Sequence, residues 1–329
     1  MTLQELLKNR NSDGRIVLDP YVDSTPKEVE LGGKKEKDWW ILDDARILVK
    51  FYSKNTYEDY AELLAEKTYN YFKIPAAHCD LISLNGRNGI LSVDVRKADD
   101  FIISGKVLLE NYHSVQFINN GYRDLEQITP YYNTLVDIQR AMACYGFDSR
   151  KISDLMNELD RVFAVSCFII DADKHWRNWG IIGNKLSKDF SICPQYDSGA
   201  ICRFALTRTK LEKYLRNVKI TNSSKFKKTI VSEHIFSTDF DKNTLLRYDR
   251  DHNDVAGMQS FFVGLHTAPK RFSSVLNEFL NFDPNIVITE VEKQIGTTLP
   301  ETCKNWYSSI CQINQMIARD YINFQEQIL

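Results

Sequence analysis

Three polar residues near the middle of the chain have the types and the spacing that phosphoryl transfer requires. An apolar run is followed by Asp171 and Asp173, and Asn178 comes five positions after Asp173. Asp197 follows nineteen positions after Asn178, in an Asp-x-Gly sequence. Transfer from ATP needs one carboxylate that accepts the proton of the substrate hydroxyl, and an amide oxygen and a second carboxylate that hold Mg²⁺ against the phosphates. The pattern therefore predicts Asp173 as the catalytic base and Asn178 and Asp197 as Mg²⁺ ligands.

Two assignments within residues 168–180 stay open at the level of sequence. Protein kinases place the catalytic Asp and the metal-binding Asn five positions apart, with a further Asp downstream. This spacing favours Asp173 over the competing Asp171 as the base. His175 either transfers protons or holds the shape of the loop by packing and hydrogen bonding. The alternative for the whole stretch is a polar turn that follows a buried helix.

An ATP site also needs a cation on the α- and β-phosphates and an acid that orients this cation. Lys50 ends the β-rich run Ile47-Leu-Val-Lys50, the type of strand from which a lysine reaches phosphate oxygens. A predicted helix over residues 57–73 carries Glu62 and Glu66, one turn apart on one face, and either could pair with Lys50. The alternative is an exposed lysine at a strand end and two solvated glutamates.

Two further segments are candidates for nucleotide contacts. Gly32, Gly33 and Lys34 lie upstream of the strand lysine and could supply backbone N–H groups and charge to phosphates, although a solvated turn has the same composition. The end of a later predicted strand falls where two lobes would join, and its backbone groups would meet adenine. The residues concerned are Val93, Asp94 and Val95.

The first third of the chain, which carries Lys50 and Glu62, is predicted to be rich in strands. Two β-rich runs, 39–42 and 46–52, are separated by Asp43-Asp44, which indicates a hairpin. Thr56-Tyr-Glu-Asp59 is typical of a capping box at the start of a helix. Residues 79–96 alternate as further strands, with 85–89 as their turn.

Helical patterning dominates after about residue 98. We therefore predict an α+β fold of two lobes, with residues 1–98 as an N-lobe of nucleotide-binding strands and one helix, and 99–329 as a helical C-lobe with the catalytic and metal-binding loops. The predicted helices of the second part cover residues 131–146, 151–170, 206–217, 272–281 and 300–327.

Composition narrows the class of protein. The chain has 329 residues, of which 43% are hydrophobic and 26% charged, and a net charge of −2, so it has no global bias toward nucleic acid or membranes. It contains no apolar run long enough to span a bilayer, and its start lacks the features of a signal peptide. Its seven cysteines form no Cys-x-x-Cys pair, which predicts reduced thiols, a cytoplasmic location and no zinc.

A basic segment follows the predicted metal-binding Asp197. Between residues 203 and 228 nine cations accompany a single acid, Glu212. The segment could attract an acidic or RNA-carrying protein; a solvated helix face is the alternative. No nucleic-acid-binding motif accompanies it, so we do not expect direct nucleic-acid binding. The cations are Arg203, Arg208, Lys210, Lys213, Arg216, Lys219, Lys225, Lys227 and Lys228.

Several of these segments together resemble the HipA-like serine/threonine kinases, over roughly residues 30–200. Residues 161–180 resemble the catalytic loop of that family, and Pro194-Gln-Tyr-Asp197-Ser-Gly resembles its metal-binding stretch. Gly33-Lys-Lys-Glu-Lys37 resembles its phosphate-binding loop. The segment from Glu62 to Ile74-Pro75 resembles its lysine-pairing helix, which implies that Glu62 rather than Glu66 pairs with the lysine.

The resemblance implies a two-lobed protein-kinase-like fold, related to the phosphoinositide kinases, that uses ATP and Mg²⁺ to phosphorylate protein serine or threonine. It also implies a toxin role with an antitoxin partner and a translation-related target, since an aminoacyl-tRNA synthetase is the family's known target class. The chain corresponds to a short form without the extra N-terminal subdomain of long members. No serine lies between Gly32 and Lys37, where the family phosphorylates itself.

Two other functions fit the same residues. A lipid or small-molecule kinase could use the same scaffold, because a fold does not determine the acceptor. A binding module without catalysis could hold nucleotide or a partner protein; the complete set of Lys50, Asp173, Asn178 and Asp197 argues against this alternative.

Overall fold

The computed structural model describes residues 1–29, 36–117, 133–220, 248 and 258–326. The predicted phosphate-loop residues Gly32, Gly33 and Lys34 lie outside these ranges, as do three cations of the basic segment, Lys225, Lys227 and Lys228. None of the described helices combines the length and the apolar character that crossing a membrane requires.

The described residues alternate between strands and helices. The strands are β1 (Ile16–Val17), β2 (Lys27–Val29), β3 (Lys37–Ile41), β4 (Arg46–Phe51), β5 (Cys79–Leu84), β6 (Arg87–Val93), β7 (Asp100–Ser104), β8 (Gly180–Asn184) and β9 (Phe190–Ile192). The helices are α1 (Leu3–Leu7), α2 (Glu58–Tyr71), α3 (Gly105–Phe117), α4 (Leu135–Tyr145), α5 (Ser149–Phe168), α6 (Arg208–Ile220), α7 (Met258–Thr267), α8 (Pro269–Leu280), α9 (Pro284–Ile295) and α10 (Glu301–Glu326). This confirms the predicted α+β class.

The chain divides into two compact units that are not contiguous in sequence. The first contains the described residues of Met1–Lys97, Pro194–Ile220 and Asp283–Ser308, and the second those of Ala98–Cys193, Thr221–Phe282 and Ser309–Leu329. This division differs from the predicted segments 1–98 and 99–329, because two later stretches pack in the first unit. One link is the Gln294 side chain, whose Nε2 donates to the carbonyl of Cys79 at 2.7 Å. Sequence periodicity marks a helix but does not tell what it packs against.

A six-stranded sheet forms the frame of the first unit. Its order is β1-β5-β6-β4-β3-β2, with β1 parallel to β5 and the other neighbours antiparallel. The predicted hairpin around Asp43-Asp44 is confirmed, since β3 and β4 pair from Lys37 with Lys50 to Ile41 with Arg46. Alternate apolar residues of the strands are buried together in a core that includes Trp40, Ile47, Val49, Ile82 and Leu91.

The turn between β5 and β6 is shorter than predicted. Leu84 pairs with Arg87, so the turn consists of Asn85 and Gly86 alone, and residues 87–89 belong to the strand. Both turn residues have positive φ, 50° and 69°. Two-residue hairpins favour such turns because their twist matches that of the strands, and Asn-Gly is the sequence that adopts them most readily.

The predicted capping box at the start of α2 is wrong. The N-cap residue is Tyr57, and no side chain caps the helix there. Thr56 Oγ1 instead contacts Glu58 Oε2 at 3.1 Å, and the Asp59 carboxylate binds the buried guanidinium of Arg15 at 2.6 Å. A tertiary ion pair has therefore taken the acid that a capping box would use.

The second unit places the catalytic stretch between a long helix and a small sheet. Asp148 caps α5, whose buried face includes Leu159 and Phe163. At its C-terminus Phe168 stacks on Phe279 of α8, with ring centroids 4.4 Å apart. Residues 169–179 then lead into β8, the central strand of the antiparallel sheet β7-β8-β9. The predicted helices of this half are present, whereas this three-stranded sheet was not predicted, because its strands are short and lie in a helix-rich sequence.

Candidate active site

Lys50 and Glu62 form a buried ion pair in the first unit. Lys50 lies on β4 and Glu62 on α2, and they are 7% and 3% exposed. Nζ of Lys50 lies 3.4 Å from Oε1 of Glu62 and also bonds to Oδ1 of Asp197. The structure therefore brings together the predicted phosphate-binding lysine, the glutamate implied to pair with it, and one of the two predicted Mg²⁺ ligands.

Glu66 is occupied elsewhere. Its Oε1 lies 3.2 Å from His78 Nδ1 and 2.9 Å from Lys67 Nζ, and its Oε2 accepts the amide of Cys79 at 2.9 Å. One turn of helix therefore separates two acids with different partners. The geometry pairs Lys50 with Glu62, as the resemblance implies.

Two further groups bind the Glu62 carboxylate. The hydroxyl of Tyr52 donates to Oε1, and the amide of Ser198 donates to Oε2 at 2.8 Å. Burial raises the pKa of Glu62, and Lys50, Tyr52 and Ser198 partly offset this rise while Asp197 adds to it. Burial would lower the pKa of Lys50, but the carboxylates of Glu62 and Asp197 outweigh burial and hold it above its ordinary value of 10.5. Lys50 is thus held in its charged form.

Asp197 sits in a tight turn beside this pair. Its φ is +54°, a left-handed conformation that few residues other than glycine adopt. Its side chain is 34% exposed, so part of the carboxylate faces solvent although Lys50 binds it. A side chain in this position can bind a cation without leaving the turn.

In the second unit, the environments of Asp171 and Asp173 differ sharply. The Asp171 side chain is fully buried, and its Oδ2 lies 3.4 Å from Nζ of the buried Lys174. The Asp173 side chain is 43% exposed, with Oδ1 3.5 Å from Nε2 of His175. A substrate hydroxyl can reach Asp173, whereas Asp171 belongs to the internal support of the loop.

Hydrogen bonds orient the other two predicted residues of this loop. Asn178 Nδ2 donates to the carbonyl of Asp173 at 2.9 Å, which leaves its side-chain oxygen to face away from that bond. Nδ1 of His175 accepts the amide of Arg177 at 3.1 Å, so the proton of a neutral imidazole lies on Nε2, toward Asp173. His175 therefore contributes to the shape of the loop, one of the two roles that the sequence left open.

In the stretch predicted to contact adenine, two of the three backbone amides already donate hydrogen bonds within the protein. The amide of Val93 donates to His78 O at 2.9 Å, and the amide of Asp94 donates to Arg46 O at 2.8 Å. The carboxylate of Asp94 binds Arg96 at 2.7 Å. A purine at this strand end would therefore use Val95 or carbonyl oxygens rather than the amides of Val93 and Asp94.

Fewer cations of the basic segment are exposed in the described residues than its sequence suggests. Arg203 is buried, and the guanidinium of Arg208 lies 4.3 Å from the ring of Tyr57. Three cations of α6 are exposed and share a face: Lys210, Lys213 and Arg216. The side chain of Lys219 and the later lysines lie outside the described residues.

Sequence reasoning missed two residues of these clusters. Tyr52 follows Lys50 by two positions, and residues two apart in an extended chain point to the same side, so the signal was present. Lys174 is buried against Asp171 between two predicted catalytic positions. Nothing in the sequence distinguishes it from an exposed loop lysine.

Comparison with known proteins finds matches among solved structures only. No family model and no curated protein matches the sequence. Among solved structures, the Helicobacter pylori proinflammatory kinase CtkA matches with a TM-score of 0.64 and 17% identity, over 92% of this chain and 98% of that one. This chain has the fold of that kinase. The predicted kinase-like fold is therefore confirmed, and at this identity the likeness extends to the fold alone.

A second structure is more distant. HipA of the Shewanella oneidensis toxin–antitoxin system, in complex with HipB and operator DNA, matches with a TM-score of 0.39 and 9% identity, over 92% of this chain and 67% of that one. A score of this size does not establish a common fold. One fold hosts many functions, so the function of this chain depends on its own residues.

Proposed function

We propose that the chain is a HipA-like kinase that transfers the γ-phosphoryl group of ATP, with Mg²⁺, to a serine or threonine hydroxyl of a protein. The observation that carries the proposal is the buried Lys50–Glu62 pair, with Asp197 on the same lysine, in a chain with the fold of a kinase. Protein kinases use a strand lysine, paired with a helix glutamate, to hold ATP phosphates.

The burial of this pair supports a function beyond stability. Removal of two charges from water is costly, and well-packed apolar residues of similar volume often stabilise a protein more than a buried ion pair does. Lys50 and Glu62 also lie beside a third charge, Asp197, which is partly exposed. A fixed cation next to a partly exposed carboxylate suits a ligand with phosphates and a metal ion.

The donor set is compatible with Mg²⁺, which prefers oxygen ligands and commonly takes one or two from the protein and others from phosphates and water. Asp197 would contribute a carboxylate oxygen and Asn178 its amide oxygen, since the nitrogen of that amide is bound to Asp173. Within the described residues no cluster of three or more His, Cys, Asp or Glu could hold a metal ion. When bound, the ion would neutralise charge on the phosphates.

Asp173 is the residue we assign as catalytic base. Its carboxylate is exposed enough to accept the proton of a hydroxyl, and His175 and Asn178 both bind it or its backbone. Lys50 would bind the α- and β-phosphates, and Glu62 would orient Lys50. Residues 93–95 would meet adenine, and Gly32, Gly33 and Lys34 would contact phosphates.

The proposal also covers the acceptor of the phosphoryl group and the partners of the protein. The motif resemblance supports a protein hydroxyl as acceptor, a translation-related target and a toxin role with an antitoxin, and the cysteine pattern supports a cytoplasmic location. The exposed cations Lys210, Lys213 and Arg216 follow Asp197 in the chain and would favour an acidic or RNA-carrying substrate.

The acceptor class can be tested with ATP labelled in its γ-phosphate. The protein is incubated with Mg²⁺, this ATP and an extract of its source cells, and protein and lipid fractions are separated. We expect label in protein as phosphoserine or phosphothreonine, and none with Asp173→Asn. Label that partitions into organic solvent would instead indicate a lipid kinase, and absence of label from all fractions would contradict the proposal.

A further inference from the structure

Tyr52 contacts both members of the Lys50–Glu62 pair, and we propose that it is a positioning residue for phosphoryl transfer. Its hydroxyl donates to Oε1 of Glu62, and its ring centroid lies 5.0 Å from Nζ of Lys50. The inference rests on the function proposed above, because it concerns how the same site is held in shape.

The Glu62 carboxylate has donors on both oxygens. Oε1 receives Lys50 and the Tyr52 hydroxyl, and Oε2 receives the amide of Ser198 at 2.8 Å. A carboxylate that binds only a flexible lysine can rotate and still keep its ion pair, whereas donors on both oxygens define one orientation. Tyr52 is buried and its hydroxyl lies at the end of a rigid ring, so it determines where Oε1 points and hence where Lys50 is held.

The same contacts reach the turn of Asp197. Ser198 follows Asp197 directly, and Gly199 approaches so closely that a Cβ atom there would lie 3.0 Å from the hydroxyl oxygen of Tyr52 and 3.1 Å from Oε1 of Glu62. A methyl group at residue 199 would therefore crowd both oxygens, and glycine avoids this crowding. Tyr52 and Glu62 together hold the segment that carries Asp197 against α2, so one hydroxyl acts on the lysine and on the predicted metal ligand.

Tyr52→Phe tests this role, because it keeps the ring over Lys50 and removes only the hydroxyl. We expect kcat to fall about tenfold, the scale for loss of a hydrogen bond to a charged group. KM for ATP should change little, because the charge of Lys50 remains and only its orientation in the transition state is lost. Gly199→Ala should lower kcat in the same direction, since its methyl group would push the hydroxyl of Tyr52 and Oε1 of Glu62 by a few tenths of an ångström.

Tyr307→Phe is the matched control. Its hydroxyl is buried in the same unit and hydrogen-bonds to Thr68 Oγ1 at 2.6 Å rather than to Glu62. Both variants lose a buried hydroxyl and should lose comparable stability. Only Tyr52→Phe should lower kcat; unchanged kcat in Tyr52→Phe, or an equal loss in both variants, would overturn the proposal.

Hydrogen exchange of the nucleotide-free protein tests the network without any activity. The Ser198 amide is protected by Glu62, so Tyr52→Phe should raise the exchange of the peptide that contains Ser198 several-fold, and Tyr307→Phe should not. Unchanged exchange in Tyr52→Phe would overturn the positioning role. A wild-type protein that transfers no phosphate would contradict the proposed function alone, because exchange at Ser198 still decides whether Tyr52 fixes Glu62.

Discussion

Lys50 and Asp197 form an ion pair within the first unit, although 147 positions separate them in the chain. The lysine is almost fully buried, whereas about a third of the aspartate side chain is exposed, 34%. In the proposed function these two residues would bind different parts of one ligand, Lys50 the phosphates and Asp197 the metal. The pair therefore holds both side chains in place before nucleotide binds, and it keeps Lys50 charged.

Mg-ATP should stabilise the folded protein, because only the folded state offers this arrangement of charges. A ligand at about 100 times its Kd stabilises by about 2.7 kcal/mol, so Mg-ATP should raise the melting temperature in thermal denaturation by several degrees. Asp197→Asn should remove most of the part of this shift that depends on Mg²⁺, because a charged metal ligand is lost.

Asp13→Asn is the control for this measurement, since Asp13 is an exposed acid of the same unit. It should retain the full shift. Absence of any shift in the wild-type protein at millimolar Mg-ATP would contradict the nucleotide site.

Asp171 and Asp173 should respond differently to the same substitution. Asp173→Asn should preserve the fold and lower phosphoryl transfer by about 10²-fold or more, the scale for loss of a positioned base. Asp171→Asn should remove the Asp171 carboxylate from the buried Lys174, and breaking a buried ion pair typically destabilises a protein by about 3–5 kcal/mol. Urea denaturation and steady-state rates, measured on both variants, separate the two roles. A stable but inactive Asp171→Asn beside an active Asp173→Asn would reverse the assignment.

Two glutamates, the buried Glu66 and the more exposed Glu158, should contribute to stability with opposite dependence on pH. Burial raises the pKa of Glu66, but His78, Lys67 and the amide of Cys79 outweigh it and bring the pKa below its ordinary value of 4.5. Partial desolvation raises the pKa of Glu158, and the amide of Ile192 offsets this rise only in part. The contribution of Glu66 is therefore present above about pH 4.5 and lost as pH falls, whereas that of Glu158 is present below this pH and lost as it rises.

Denaturation of Glu66→Gln and Glu158→Gln between about pH 3 and about pH 7 checks this prediction. The cost of Glu66→Gln should shrink toward acid pH, and that of Glu158→Gln should grow. Parallel curves for the two variants would show that the burial and partners described here do not control their titration.

The exposed face of α6 should act on capture of the substrate rather than on ATP. Reversal of Lys210, Lys213 and Arg216 to Glu should slow association with an acidic substrate, since exposed charges mainly affect the association rate. The effect should weaken as salt rises, because such charges are screened within about 8 Å at physiological ionic strength. ATP affinity should not change.

A reversal of three exposed lysines elsewhere, Lys185, Lys270 and Lys293, changes the net charge equally and serves as control. Association rates measured at several salt concentrations should fall only for the α6 variant. Full activity of the α6 variant toward the true substrate would show that the exposed face of α6 is only a solvated helix face.

The parts of the fold that depend on local pattern could be predicted from the sequence. The hairpin of β3 and β4, helix α2 and helix α5 follow from the spacing of apolar residues, which reports on neighbours in the chain. Packing between distant segments leaves no such signal, so the assignment of α6 and α9 to the first unit was not predictable. The capping box failed for the same reason, because Arg15 binds the Asp59 carboxylate from another segment.

The candidate site, too, could be predicted only where it depends on local sequence pattern. The five-residue spacing of Asp173 and Asn178 is a local pattern, and it selected the exposed acid over the buried one. The choice of Glu62 over Glu66 needed the family resemblance, since one turn of helix gives both the same periodicity. The ion pair of Lys50 with Asp197 could not be predicted, and the catalytic roles of all these residues stay predictions.

The most direct test of the account is transfer of labelled γ-phosphate from ATP by the purified protein in the presence of Mg²⁺ and cell extract. We predict protein-bound label with the wild-type protein and at least about a hundredfold less with Asp173→Asn, while both proteins bind Mg-ATP equally well. ATP labelled in the α-phosphate should give no protein label. Tight binding of Mg-ATP without any transfer, or equal transfer by Asp173→Asn, would contradict the account.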